Sequence, residues 1–279
     1  MFALGCDRAY LYAHPERELT ADETQCYDNA LTRRATGVPA QYITGHQEFW
    51  GLDFIVSPAV LIPRPETEHL VEAVLEIVSR PDLVREQEHD QSQEQGQRAG
   101  VPAPHGQSLL HKVRIVDTGT GSGAIALALA SELALAHISA TDISSDALDI
   151  ARANAARLGL ASRVEFHLAD LLSGFPPAWF DVVVSNPPYV GESEEESVQL
   201  EVRKFEPRNA VFAGPTGLEV IERLIPQAYA ALRPGGWLVF EISGTIADRV
   251  LSLLNGWNDV GMKPDLQGIA RVAVARKAS

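Results

Sequence analysis

Val113-Arg114-Ile115-Val116-Asp117-Thr118-Gly119-Thr120-Gly121-Ser122-Gly123-Ala124 is the stretch that decides the fold. An apolar strand, read as residues 113–117, runs into a glycine turn and then into an Ala-rich helix read as 124–135. The same rhythm continues downstream. Strands are read at 137–142, 164–168, 181–185 and 237–242, with helices at 145–158 and 217–232 and a late strand at 271–275. Strands that alternate with helices imply a parallel sheet covered on both faces, the α/β class of Rossmann-like domains.

Gly119, Gly121 and Ala124 fit the G-x-G-x-x-[GA] pattern of a nucleotide-binding turn. Glycine allows the backbone to approach a ligand closely and tolerates positive φ. Asp142 ends the next strand, where a carboxylate accepts hydrogen bonds from ribose hydroxyls. These features alone serve a nicotinamide cofactor as well as S-adenosylmethionine. Asp117 favours the second: a carboxylate is unfavourable beside a pyrophosphate, whereas the ammonium of an amino-acid moiety needs an acceptor.

Asp181-Val182-Val183-Val184-Ser185 then leads into Asn186-Pro187-Pro188-Tyr189. An apolar strand centre is expected to be buried, which places the tetrapeptide at the carboxyl end of a parallel strand, where open α/β sheets bind ligands. Both prolines have a fixed φ and no N–H, and Asn186 is held extended because it precedes proline. The loop is therefore stiff. It offers the Asn186 side-chain oxygen and the Pro187 carbonyl as paired acceptors, with Pro188 bracing them and Tyr189 as an aromatic wall. A planar NH2 group has the complementary need. Its nitrogen is a poor nucleophile, and two acceptors aim it at a methyl donor and bind more strongly as the nitrogen turns tetrahedral. An Asn-Pro pair also begins ordinary turns, but that reading leaves the upstream glycine turn and acidic strand end unexplained.

Upstream, residues 1–36 read as short helices, one of them begun by Thr20 as cap with Glu23 three residues on. Residues 47–62 alternate apolar and polar side chains as a β-hairpin, broken at Ser57-Pro58. Pro63-Arg64-Pro65-Glu66-Thr67-Glu68 opens a helix through Val78, with Pro65 and the two glutamates suited to a first turn. Residues 80–112, in which Arg85–Arg98 is dominated by Glu, Gln and other polar residues and is followed by Pro and Gly, read as a polar, flexible surface insertion. The chain has 279 residues, enough for one large domain and a small one. Its net charge of -14 does not favour nonspecific phosphate binding, so no direct nucleic-acid partner is expected. Cys6 and Cys26 make neither a disulfide framework nor a zinc set, and the eight histidines lack ligand spacing, so no metal is expected. The first thirty residues contain no long apolar run, which gives no signal peptide, no membrane span and a cytoplasmic default.

With these motifs in place the sequence resembles the release factor glutamine methyltransferase family, a branch of the class I Rossmann-like methyltransferases. The resemblance spans residues 37–275, interrupted by the insertion. It is carried by Gly37-Val38-Pro39-Ala40-Gln41-Tyr42-Ile43-Thr44-Gly45, Glu48-Phe49-Trp50-Gly51, Leu61-Ile62-Pro63-Arg64-Pro65-Glu66-Thr67-Glu68, Phe205-Glu206-Pro207-Arg208 and Pro234-Gly235-Gly236. It implies a helical N-terminal domain (1–36) that docks the protein substrate, a hairpin link with a loop helix (37–79), and an S-adenosylmethionine-dependent domain (113–279). Asp117, Gly119, Thr120, Gly121, Ser122, Gly123, Asp142, Asp170 and Leu171 would hold the cofactor, with Leu171 against the adenine. Asn186 would touch both cofactor and substrate, and Asn186 to Tyr189 would bind the glutamine of a Gly-Gly-Gln motif in peptide-chain release factors. Asn186, Pro187 and Tyr189 are the catalytic candidates, and Pro63–Glu68 would border the site. Two departures stand out: the N-terminal domain is shorter than is usual in the family, and Ser243 stands where glycine is usual. Transfer to the NH2 of adenine or cytosine uses the same four residues, with Tyr189 stacking on a flipped base. A nicotinamide oxidoreductase leaves Asn186–Tyr189 without a role, and a silent scaffold leaves the intact acceptors without one.

Overall fold

The computed structural model describes residues 2–80 and 113–279. The insertion read at 80–112 lies outside them except for Arg80. The N-terminal segment forms helices Arg8–Ala13, Ala21–Ala35 and Ala40–Thr44. Thr20 caps the second through a reciprocal pair of hydrogen bonds with Glu23, as its spacing predicted. A hairpin follows, β1 (His46–Phe49) and β2 (Leu52–Ile55). Its two-residue turn, Trp50-Gly51, has positive φ at both positions, which matches the twist of the strands. The hairpin is shorter than the sequence reading, because the chain turns away at Ser57–Val60. A single turn, Pro65–Thr67, then leads into the helix Glu68–Val78, and Glu68 accepts from the Trp50 N–H (2.8 Å).

The remaining strands are β3 (Arg114–Thr118), β4 (His137–Asp142), β5 (Val164–Leu168), β6 (Phe180–Ser185), β7 (Val190–Gly191), β8 (Phe212–Gly214), β9 (Leu232–Glu241), β10 (Asn258–Pro264) and β11 (Ala270–Arg276). Seven of them form one sheet in the order β10-β11-β9-β6-β3-β4-β5. The five strands from β9 to β5 are mutually parallel, β11 runs antiparallel to β9, and the edge strand β10 runs antiparallel to β11. The sheet is therefore mixed rather than parallel throughout. The sequence reading missed β10 because it is an edge strand, largely exposed, without a period-two apolar pattern. It also began β9 too late, at residue 237: the chain is already paired at Leu232, and a register irregularity accommodates Pro234-Gly235-Gly236.

Alternate residues of the central strands feed the two faces of the sheet. Ile115, Val182 and Trp237 pack with Phe49, Phe54 and the helices Glu68–Val78 and Ala124–Glu132. Val116, Val183 and Leu238 pack with the helices Glu219–Ala231 and Ala247–Leu253. The helices thus cover both faces, as the alternation implied. After β3 the chain steps outward to β4 and β5, then returns to β6 on the other side of β3. The crevice where strand order reverses opens at the carboxyl ends of β3, β4 and β6. Among the described residues, no helix is long and apolar enough to cross a membrane.

Candidate active site

A cavity of about 320 Å³ occupies that crevice. Its walls include Gly119, Thr120, Gly121, Ser122, Asp142, Asp170, Leu171, Asn186 and Pro188 from the sequence-predicted set. Pro63, Arg64 and Thr67 from the loop before the helix Glu68–Val78 also line it. The glycine turn divides into two kinds of position. Gly119 (φ +71°) and Gly121 (φ +56°) face open space: a Cβ on either would meet nothing within 4 Å. Gly123 (φ +83°) does not line the cavity. A Cβ there would press on Leu127 (3.1 Å) and Ala151 (3.2 Å), so it is a packing glycine between two helices.

Asp142 stands on the wall with one lone pair of each oxygen already used, Oδ2 by the Gly121 N–H (2.9 Å) and Oδ1 by the Ser144 N–H (2.9 Å). Burial raises its pKa, and these backbone donors work against the rise. Asp117 is fully buried and is not on the wall. Its Oδ2 accepts from the Thr120 hydroxyl (2.6 Å) and the Ala126 N–H (3.2 Å), while Oδ1 has no hydrogen-bond partner among the described residues. Burial pushes this carboxyl up to about 7, only partly offset by Thr120 and Ala126. On the far side, Asp170 pairs with Arg223, and Leu171 turns at φ +53° so that its carbonyl accepts from Thr141 (2.9 Å). Exposed Ile143 adds an apolar flank that the sequence reading did not single out.

Asn186 follows β6, all six residues of which are buried, as its apolar run predicted. Its Nδ2 donates to Thr67 Oγ1 (3.1 Å). No group among the described residues donates to Asn186 Oδ1 or to the Pro187 carbonyl. The Pro187 ring is buried behind the cavity, and Pro188 lines it. Tyr189 differs from its reading as an aromatic wall. Its ring packs on the apolar cluster around Phe240, and its hydroxyl donates to Glu241 Oε1 (3.0 Å). The Thr67 hydroxyl donates to the other oxygen of the same buried carboxylate (2.7 Å).

Two fasteners hold the site's walls together. Arg64, which a helix start does not explain, pairs with buried Glu206, and Glu206 Oε2 also accepts from the Ile62 N–H (3.1 Å). Asn154, fully buried, accepts from the Ile55 N–H (2.7 Å) and donates to the carbonyls of Ile55 (3.0 Å) and Ser122 (2.9 Å). It ties the hairpin to the glycine turn. Ser243 sits at φ −79°, where glycine has no advantage, and caps the next turn by accepting from the Thr245 N–H. Among the described residues there is no His, Cys, Asp and Glu grouping suited to a metal ion.

The comparisons with known proteins agree with one another. A family model described as the PrmC N-terminal domain matches residues 1–45, and one described as the methyltransferase small domain matches residues 105–204. The release factor glutamine methyltransferase of Koribacter versatilis is 52% identical over 280 residues, covering 99% of this chain and 88% of that protein. The proteins of the same name from Rhodopirellula baltica and Chlorobaculum tepidum are 36% and 39% identical, covering 99% and 96% of this chain and 86% and 84% of their own lengths. With half of its residues shared with one such protein along nearly its whole length, and with the glycine turn and the Asn186–Tyr189 loop meeting at one cavity, this chain belongs to the release factor glutamine methyltransferase family.

Proposed function

We propose that the protein transfers a methyl group from S-adenosylmethionine to the side-chain amide nitrogen of the glutamine in the Gly-Gly-Gln motif of a peptide-chain release factor, in the cytoplasm. The observation that carries the reading is the state of Asn186: its NH2 is turned to Thr67 and donates there, which leaves its oxygen, accepting from no described group, for a ligand, next to the unclaimed Pro187 carbonyl. The residues around the crevice fit the cofactor. Gly119 and Gly121 leave a cradle that a side chain would fill. Asp142 keeps free lone pairs for ribose hydroxyls, and Asp117 keeps a partnerless Oδ1 for the ammonium. Leu171 and Ile143 offer apolar contact for a purine, and Asp170 an acceptor at its edge.

Bound S-adenosylmethionine supplies an electrophilic methyl on its sulfonium. The chain supplies orientation. Asn186 Oδ1 and the Pro187 carbonyl accept the two hydrogens of the substrate amide and aim its nitrogen at that methyl. As the nitrogen gains positive character its hydrogens become more acidic, and both hydrogen bonds strengthen in the transition state. The S–CH3 bond breaks as the N–CH3 bond forms, S-adenosylhomocysteine would be the leaving group, and no side-chain base is needed, because the now acidic N–H proton passes to solvent water after the methyl has arrived. Gly123 and Tyr189, expected to touch ligands, act from behind the wall in this reading: the glycine lets two helices approach and the tyrosine ties the loop to Glu241. Residues 1–36, with residues 37–79 as a link to the methyltransferase domain (113–279), provide the docking surface for the release factor. The test is label transfer from methyl-labelled S-adenosylmethionine to a release factor, to the same factor with its Gly-Gly-Gln glutamine replaced by alanine, and to RNA and DNA. The proposal expects label in the first only. Label in nucleic acid alone would replace it with the base-directed reading.

A further inference from the structure

The paired acceptors work only if Asn186 presents its oxygen, and not its NH2, to the cavity. An amide side chain is nearly symmetric in shape, so something must choose. We propose that Thr67 and Glu241 make this choice and are positioning residues of the reaction; the inference rests on the function proposed above. The sheet register creates the contact. Ser185 of β6 pairs with Phe240 of β9, so the next residues, Asn186 and Glu241, leave the two strands side by side. Glu241 is 2% exposed and ends an otherwise apolar run.

The polarity of the network follows from the donors available. An ionised carboxylate accepts and never donates. Both hydroxyls that reach Glu241 must therefore give it their only protons, Thr67 to Oε2 (2.7 Å) and Tyr189 to Oε1 (3.0 Å). Thr67 then has only lone pairs to offer its other neighbour. Asn186 must meet it with Nδ2, at 3.1 Å, and its oxygen must turn away. The flipped amide would set two oxygens together with no proton between them. Burial, the largest influence, raises the pKa of Glu241 and nearby Glu66 adds to the rise, while the two hydroxyls and Arg271 act against it; in the geometry each of its oxygens accepts from one hydroxyl. The arrangement thus passes the acceptor character of one buried carboxyl group through a hydroxyl to the amide that faces the substrate.

The experiment compares the full-length protein with Thr67→Val, which keeps the shape and removes the hydroxyl, and with Thr67→Ser, which restores it. The expected result is a kcat on the release factor lowered about a hundredfold in Thr67→Val, with the dissociation constant for S-adenosylmethionine nearly unchanged, and most of the rate recovered in Thr67→Ser. Wild-type turnover in Thr67→Val, or an equal loss in both variants, overturns the inference. Glu241→Gln is the second variant if Thr67→Val does not fold. Its amide offers one acceptor and one donor where two acceptors stood, and kcat is again expected to fall. A substrate-free readout separates this inference from the function it rests on. In 15N-labelled protein the Asn186 NH2 hydrogens should be protected from solvent exchange in wild type and lose protection in Thr67→Val. Equal protection in both would sink the orienting role even if methyl transfer proceeds, and lost protection supports that role even if no methyl reaches a release factor.

Discussion

Lowering the pH from 7 to 5.5 should weaken cofactor binding through one residue, Asp117. The carboxyl is fully buried, and its pKa stands at about 7 against an ordinary 3.8. Charging it therefore costs about 4 kcal/mol more in the folded protein than in the unfolded chain. The sign is fixed by which state holds the proton. Between those two values the folded protein binds more protons than the unfolded chain, so this group's contribution to stability falls as pH rises through the window. A cation beside Asp117 Oδ1 reverses the preference and favours the carboxylate. If the ammonium of S-adenosylmethionine binds there, binding expels the proton, and acid opposes binding. With a pKa of about 7 in the free protein, the apparent dissociation constant scales as one plus the ratio of protonated to ionised Asp117, rising about fifteenfold from pH 7 to pH 5.5. Calorimetry in two buffers of different ionisation enthalpy should also record release of about half a proton per cofactor at pH 7. Asp117→Asn is the control. Its amide oxygen can still accept from Thr120 and Ala126, so the turn is preserved, and the slope should flatten to whatever Asp142 contributes. A wild-type dissociation constant constant within twofold across this range, or a slope equally steep in Asp117→Asn, would refute the assignment of the ammonium to Asp117.

The remaining predictions are independent of that residue. Asn186→Ala should lower turnover at least about a hundredfold while the cofactor dissociation constant, from titration, moves little; equal losses in both would contradict the role given to its oxygen. Asn154→Ala removes three hydrogen bonds, two partly buried ones to Ile55 of the hairpin and one buried one to Ser122 of the glycine turn, and should cost about 3 kcal/mol. Urea unfolding should show a lower midpoint at unchanged slope, and a loss under about 1 kcal/mol would mean that the clamp is not a structural tie.

Much of the molecule could be read in its residues, and the failures have physical causes. The strands at His137–Asp142 and Val164–Leu168 were legible because both alternate apolar and polar residues within the βα rhythm. The edge strand Asn258–Pro264 was not, because a strand held by backbone pairing at a sheet margin needs no apolar face. The same division holds at the site. Gly119, Gly121, Asp142 and Asn186 announce themselves by type and by position at strand ends. Gly123 shares the glycine pattern but serves helix packing, a distinction that depends on where Ala151 lies. Thr67 and Glu241 are separated by 174 positions and meet through sheet register, which no local pattern encodes. One signal was available: Glu241 is a carboxylate closing an apolar strand, the same mark that singled out Asp142. Arg64 is similar, since its partner Glu206 lies 142 positions away.

The most direct test of the central claim is tandem mass spectrometry of the Gly-Gly-Gln peptide from a release factor incubated with this protein and S-adenosylmethionine. The account predicts a single added methyl located on the side-chain amide nitrogen of the glutamine, absent when Asn186→Ala replaces the wild type. A methyl on any other atom of the peptide, or an unmodified peptide from wild-type protein that binds the cofactor, would contradict it.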